Sequence, residues 1–373
     1  MKKQPIRIAQ IMGNMNGGGV ESVVMNYYRH IDRQCIQFDF IVSSDSQQIP
    51  REEIETLGGR IFEVPSYSKP FAYQRELRKL FEQEQWKIVH SHINALSLFP
   101  LRAAKKSNVP VRIAHSHSTS GKGELVRNAI KGVLKCFSNI YPTHRFACGE
   151  YAGQWLFGRN AEFWVMSNAI ELHTFSFSPE KRSVIRKELG LEENDFLVLH
   201  IGRFAKQKNH SFLIEIFNEL LSMRPNTYLL LAGDGPLVPA IKEQLNLLGI
   251  EQKAHFLGQR SDVDSLYSAA DCFCLPSLYE GLPVVSVEAQ ASALPIFMSD
   301  NVSDEALITK RATEIALSDG PRGWASKLAE ITAEKRMSPL SETDNDALSH
   351  YDIVIQSNLL KEKYMQLFQE AGE

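Results

Sequence analysis

At 373 residues, with 43% hydrophobic and 23% charged side chains, the chain exceeds one ordinary core and has a globular composition, not a disordered or fibrous one. The apolar N-terminal run is short and broken by Arg7 and Gln10, and no other apolar stretch approaches the roughly 18 residues of a membrane span, so a cytoplasmic protein without leader or anchor is expected. The net charge of −3 conceals a division: residues 1–170 hold 22 Lys and Arg against 14 Asp and Glu, the remainder 19 against 30, so the first half suits an anionic partner.

Short β-rich runs alternate with helix-period segments from the start. Ile6–Met12 reads as a strand, and Val20, Val23, Val24, Tyr27, Tyr28 and Ile31 then recur at the spacing of one helical face. Between them lies Gly13-Asn14-Met15-Asn16-Gly17-Gly18-Gly19, a loop whose amides suit a phosphate. It is not GxGxxG, so a nicotinamide dinucleotide is not indicated. Gln37–Val42, Lys87–Ser91, Val111–His115 and Arg145–Cys148 read as further strands. His90 and His92 end one of them, and His115-Ser116-His117 ends the next. Imidazoles at strand ends bind sugar hydroxyls or carry protons, whereas HxH pairs without a third ligand motif do not indicate a metal.

Lys122–Ile140 reads as an amphipathic helix, with Val126, Ile130, Val133, Leu134, Phe137 and Ile140 on one side and Arg127, Lys131 and Lys135 on another. A solvated helix over an ordinary core is the simpler reading. Contact with an anionic membrane surface competes with it, because only Glu124 and Glu150 are acidic within residues 85–161. Nucleic acid is not expected, since aromatic residues are not interleaved with the basic ones.

After a weakly patterned stretch, Ser167–Pro179, the alternation restarts at Phe196–Ile201 and continues through Tyr228–Ala232, His255–Leu257, Cys272–Leu275 and Pro295–Met298. The fold class is therefore α/β, with two Rossmann-like doubly wound domains facing a central cleft and ligands at the carboxyl ends of the strands. The domains run over 1–170 and 171–351, with a final helix at 352–369 packing back on the first. The five cysteines, Cys35, Cys136, Cys148, Cys272 and Cys274, lack any metal-ligand spacing and read as reduced thiols in the core.

Two segments of the second half carry chemistry. Gly202-Arg203-Phe204-Ala205-Lys206-Gln207-Lys208 follows a strand, where Arg203 and Lys208 can neutralise phosphates; Lys206 reads as a surface residue. Tyr279-Glu280-Gly281-Leu282-Pro283 leads from the next site-bearing strand into a helix that carries Glu288. Free amides at that helix start face a diphosphate, Gly281 permits close approach, and Pro283 loses nothing by lacking an N–H there. Counted along a helix axis, Glu280 and Glu288 stand about 8–12 Å apart, which suits carboxylates accepting hydroxyls on either side of a diphosphate. Two DxD strings compete for a metal reading. Asp262-Val263-Asp264 reads instead as a helix cap and Asp344-Asn345-Asp346 as a polar loop.

Together these motifs resemble the family 4 retaining glycosyltransferases of GT-B architecture, over nearly the whole chain and most clearly from Phe196 to Glu305. Glu280 and Glu288 match the family's EX7E element; Gly202, Arg203 and Lys208 match its Gly-Arg…Lys segment apart from one residue of spacing; Gly18 and Gly19 match its glycine loop. The resemblance implies that Glu280 contacts the transferred sugar, Glu288 the ribose, and Arg203 and Lys208 the diphosphate. It further places Gly19 near that diphosphate, the backbone at Arg260 by the base, and His115 by the sugar. Similar members transfer a hexose or N-acetylhexosamine, usually from a UDP-sugar, to a glycan or lipid-linked acceptor in capsular or exopolysaccharide assembly, with retention and without a metal cofactor. Peripheral attachment to the inner face of the cell membrane is the expectation if the basic helix meets lipid. Ala293 and Ala169 stand where the family commonly has glycine, which puts local turns in question. A nucleotide-sugar epimerase of the same fold and a non-catalytic sugar-binding protein are the alternatives.

Overall fold

The computed structural model describes residues 4–117, 132–332 and 336–372. The chain divides into two compact units, one of Met1–Ile170 with His350–Glu373, the other of Glu171–Ser349.

In the first unit, β1 (Ile6–Gly13), β2 (Ile36–Ser43), β3 (Arg60–Val64), β4 (Ile88–Ser91), β5 (Val111–Ser116), β6 (His144–Ala147) and β7 (Trp164–Val165) form one sheet in the order β3-β2-β1-β4-β5-β6-β7. Every pairing is parallel, so each strand needs a crossover, supplied mostly by helices. The crossover Pro70–Glu84 shows why such a segment is helical: Pro70 opens it, Tyr73, Leu77 and Phe81 recur every four residues on its buried face, and Gln85 ends it at φ 53. Chain order reverses between β1 and β4, the switch point at which ligands bind in such sheets.

One face of this sheet is apolar: Ala9, Ile11, Ile41, Val89 and Ala114 pack with Leu77, Phe81, Leu101 and Leu156. The alternate residues face the other way, and there Gln10, His90, His92 and His115 are all buried. The C-terminal helix Ile353–Glu370 packs on this polar face, with the Tyr364 ring edge-on to Phe38 and 6.0 Å from His90. It is entered through Asp352, which bridges Ile170 and caps Val354 N at 2.7 Å. Asp39 is buried in β2, and hydrogen bonds from Arg60, Arg7 and Trp86 outweigh its desolvation and hold its carboxyl below the usual range.

In the second unit, β8 (Phe196–Ile201), β9 (Thr227–Ala232), β10 (Ala254–Gly258), β11 (Cys272–Leu275), β12 (Ile296–Ser299) and β13 (Ala312–Ile315) repeat the plan in the order β10-β9-β8-β11-β12-β13, again all parallel. The switch point lies between β8 and β11. Their register is pinned at the other end by Asp271, which accepts from Leu197 N at 2.7 Å and from the buried Arg182 at 2.9 Å. Cys272 and Cys274 are small core residues, as their alternation implies, but Cys35 is half-buried and Cys136 exposed, so the core reading fails for those two.

Other expectations change on inspection. Asp344-Asn345-Asp346 lies in the helix Glu342–Ser349, not in a loop. Asp344 and Ser341 cap one another, the carboxylate accepting from Ser341 N and the hydroxyl from Asp344 N. Residues 122–131 of the basic segment lie outside the described residues. Its end is helical only over 132–135, after which Cys136, Phe137 and Ser138 donate to the carbonyls three residues back; Phe137 and Ile140 are exposed. The helix therefore does not reach Ile140. Among the described residues, no helix is long and apolar enough to cross a membrane.

The two alanines in glycine positions differ. Ala169 avoids the left-handed region, but Ala293 adopts φ 52 just beyond the helix Val284–Ala291. There Leu294 N bonds Ala289 O and Ala293 N bonds Gln290 O, the left-handed helix ending that glycine favours. Ala293→Gly is expected to raise stability by about 1 kcal/mol in denaturant titration, the left-handed penalty less glycine's own entropy cost. A loss of stability would show that the methyl of Ala293, a residue only 7% exposed, contributes more by packing than it costs in strain.

Candidate active site

The loops that follow β8 and β11 meet at the second unit's switch point. Leu278 N donates to Gln207 O at 2.8 Å, and Asn209 Nδ2 donates to Pro276 O at 3.0 Å. Glu280 is the centre of this arrangement. One carboxylate oxygen pairs with Lys208 Nζ at 2.7 Å and accepts from Ser277 Oγ at 3.2 Å; the other accepts from Gln207 Nε2 at 3.0 Å. Both side chains of the ion pair are largely withdrawn from water, Lys208 at 14% and Glu280 at 10% exposure.

Glycines make this approach possible. A Cβ at Gly202 would stand 3.1 Å from the Lys208 stem and 3.3 Å from His200 Nε2. Gly233, at φ +131, would place a Cβ 2.2 Å from Gly202 O, so β9 can end against the Gly202 loop only with glycine there. Arg203 differs from Lys208: it is exposed, and no acidic partner holds it among the described residues. An exposed, uncommitted arginine that follows Gly202, the residue packed against the Lys208 stem, is open to an anion.

Glu280 does not lie on the helix. It bridges Val302 in extended backbone, Gly281 is half-buried, Leu282 and Pro283 are buried, and the helix begins at Val284 with Pro283 as its cap residue. The axial spacing counted from Glu280 to Glu288 therefore applies only from residue 284 onward. Glu288 accepts from the Tyr267 hydroxyl at 2.8 Å through one oxygen. Desolvation raises its carboxyl to about 7, against the opposing effect of that hydrogen bond.

Arg260 is paired through its side chain with Asp262 at 2.7 Å and Glu188 at 3.1 Å, which stabilises its charge. Asp262 occupies the cap position of the helix Val263–Ala269 without a capping hydrogen bond, because Arg260 holds its carboxylate. Asp264 pairs with Lys181 at 2.6 Å. Both carboxylates of this DxD string are thus committed to cations, which corrects the capping expectation.

In the first unit the glycine loop is filled from within. Gly18 opens the helix Gly19–His30, but its amide donates to Glu21 Oε2 at 2.6 Å and Asn16 N donates to Glu21 Oε1 at 3.0 Å. A carboxylate thus takes the place the loop offered to a phosphate, while Gly19 has open space on its Cβ side. At the ends of β4 and β5 the imidazoles form two chains. His90 joins Tyr364 OH at 2.7 Å and His115 Nδ1 at 3.1 Å; His92 joins Gln10 Oε1 at 2.8 Å and His117 Nε2 at 2.9 Å. His115 is fully buried, so a ligand does not reach it first; His117, half-buried, is the outermost ring. His90, His92 and His115 bring one nitrogen each within 4.8 Å of one another, close enough for a metal, but those of His90 and His92 are spent on hydrogen bonds.

Residues 181–337 match the model of glycosyl transferases group 1, and residues 17–153 match glycosyltransferase family 4. EpsF of Bacillus subtilis (strain 168), designated a glycosyltransferase, is 33% identical over 96% of both chains. The chain belongs to the family 4 glycosyltransferases. A second relative of this glycosyltransferase is the Escherichia coli UDP-Gal:alpha-D-GlcNAc-diphosphoundecaprenol alpha-1,3-galactosyltransferase, 25% identical over 83% of this chain and 84% of that one. Anabaena HepE, solved with UDP and glucose, superposes with a TM-score of 0.80 at 18% identity, covering 96% of this chain and 99% of its own. The fold is GT-B, consistent with the two Rossmann-like units.

The sequence reading assigned no role to Gln207, Ser277, Tyr267, Gly233, Gln10 or Tyr364, nor the outer position to His117. A Gly-Asp-Gly string at 233–235 was the available signal for one of them. Ser277 meets Glu280 only three residues on, whereas Gln207, Tyr267, Gln10 and Tyr364 depend on partners at least 21 residues away.

Proposed function

We propose that this glycosyltransferase transfers a hexosyl or N-acetylhexosaminyl group, with retention and without a metal, from a UDP-sugar to a hydroxyl of a glycan or lipid-linked acceptor in capsular or exopolysaccharide assembly. The supporting observation is the withdrawn Lys208–Glu280 pair, together with an exposed and uncommitted Arg203 in the same loop after β8. Arg203, Lys208 and the amides opening the helix at Val284 hold the diphosphate. Glu280 accepts from a hydroxyl of the transferred sugar, Glu288 from the ribose, and the backbone near Arg260 lies by the base. The bond from the anomeric carbon to the diphosphate oxygen breaks, the acceptor oxygen bonds the same face, and the leaving diphosphate takes the acceptor's proton. The cations stabilise charge where it develops. The UDP and glucose held by Anabaena HepE and the UDP-Gal and diphosphoundecaprenol in the name of the Escherichia coli relative favour this donor and acceptor class.

The test is product analysis with a panel of UDP-sugars, with and without a diphospholipid-linked sugar. Acceptor-dependent UDP release is expected. Conversion of donor alone into its epimer would replace this reading with the epimerase.

Glu288 gives the donor site a pH dependence. A ribose hydroxyl donates to the carboxylate, so donor binding favours the ionised form and expels a proton. Affinity for UDP should therefore rise as pH increases through about 7, and Glu288→Gln should flatten the profile. A wild-type affinity that falls over that interval would exclude this contact. The excess of basic residues in 85–161, with Val133, Phe137 and Ile140 exposed, favours contact of the first unit with an anionic membrane. Equal sedimentation with anionic and neutral vesicles would overturn it.

A further inference from the structure

We infer that Gln10 and Tyr364 are positioning residues that set the tautomers of the four buried-face imidazoles, so that His117 presents a hydrogen-bond acceptor and His115 a donor. The inference rests on the glycosyltransferase reading above and on His117 as the outermost of the four rings.

The two ends of a glutamine amide are unlike: the oxygen only accepts and the nitrogen only donates. Gln10 Oε1 lies 2.8 Å from His92 Nε2, so His92 carries its proton on Nε2. Burial holds all four rings well below their ordinary pKa and hence neutral, with His117 at about 3. A neutral ring with Nε2–H has a bare Nδ1. His92 Nδ1 therefore accepts from His117 Nε2–H at 2.9 Å, which leaves His117 Nδ1 bare and without a partner among the described residues.

The other end of the amide governs the second chain. Gln10 Nε2 donates to Tyr364 OH at 3.2 Å, so the phenol turns its own proton to His90 Nδ1 at 2.7 Å. His90 then holds a proton on Nε2 and donates to His115 Nδ1 at 3.1 Å. His115 keeps Nε2–H, the buried nitrogen that has no partner. All four rings share one tautomer, dictated by one side chain in β1 and one phenol on the C-terminal helix. A bare Nδ1 on His117 accepts from a sugar hydroxyl; the opposite tautomer would refuse that proton. This network accounts for a glutamine and a tyrosine buried beside imidazoles where an apolar sheet face would be simpler.

The full chain, labelled with 15N in histidine, gives the test, because long-range proton–nitrogen correlation separates protonated from bare ring nitrogens. Wild type should show Nε2–H at His90, His92, His115 and His117. Gln10→Glu replaces the donor end with an acceptor, so Tyr364 turns its proton to the carboxylate and accepts from His90. His90 and His115 should then switch to Nδ1–H, while His92 and His117 keep Nε2–H. Nδ1–H at His92 or His117 in wild type, or no switch in Gln10→Glu, would overturn the inference. Should Gln10→Glu fail to fold, Tyr364→Phe tests the same chain: His90 and His115 lose their single tautomer and His92 and His117 do not. Kinetics separate the two levels. If the tautomers behave as stated but Gln10→Leu, folded, leaves kcat, KM and the pH profile unchanged, the network stands and its service to transfer falls.

Discussion

Lys208→Ala is expected to lower kcat by about a thousandfold, the upper end of what one preorganised charge contributes to a transition state. Two structural facts place the effect this high. Lys208 is withdrawn from solvent, so its charge is weakly screened, and Gly202 has no side chain to hold the lysine stem away from the backbone. The substitution also strands the Glu280 carboxylate, which among the described residues retains only the Ser277 and Gln207 side chains as donors. Part of the loss is therefore repulsion between an unpaired carboxylate and the incoming diphosphate. Steady-state kinetics on protein with a wild-type unfolding transition makes the measurement. Turnover within tenfold of wild type would remove Lys208 from the reaction.

Glu280→Gln should lower kcat by about a hundredfold with a smaller change in the donor's KM, if the proposed hydroxyl contact strengthens as charge develops on the sugar. Glutamine preserves the shape and keeps an oxygen for one of the donors, so misfolding does not explain the loss. Since Lys208 and Glu280 touch at 2.7 Å, the double variant should lose far less than the product of the two single effects. Full additivity would mean that the pair does not act as a unit.

Much of the fold was legible because parallel strands buried on both faces are nearly continuous apolar runs. Phe196–Ile201 and Cys272–Leu275 stand at the bounds read from sequence. The strands that escaped are the edges: Arg60–Val64 carries Arg60 and Glu63, Ala312–Ile315 carries Glu314, and Trp164–Val165 is two residues long. An edge strand tolerates charge, so its pattern fades. The helix at Glu342–Ser349 was missed because its polar first turn looks like a loop until Ser341 and Asp344 are seen to cap each other.

The candidate site was legible where its groups lie close together in sequence. Gly202, Arg203 and Lys208 fall within seven residues, and Glu280 follows its strand closely. What could not be read were side-chain commitments, some between near neighbours and some across the fold. Glu21 fills its own glycine loop, Arg260 disarms Asp262, and Tyr267 holds Glu288 from another helix. His115 was the natural choice at a strand end, yet the strand continues to Ser116 and carries that ring inside. Tyr364 lies 274 residues from the imidazole it orders, a partnership no spacing rule anticipates.

The central claim is that the second unit grips a nucleoside diphosphate through Arg203 and Lys208. Calorimetric titration of UDP into wild-type protein and into the Arg203→Ala/Lys208→Ala double variant tests it most directly. Saturable binding to the former and none to the folded variant is the expected result; equal heats and affinities for both would contradict it.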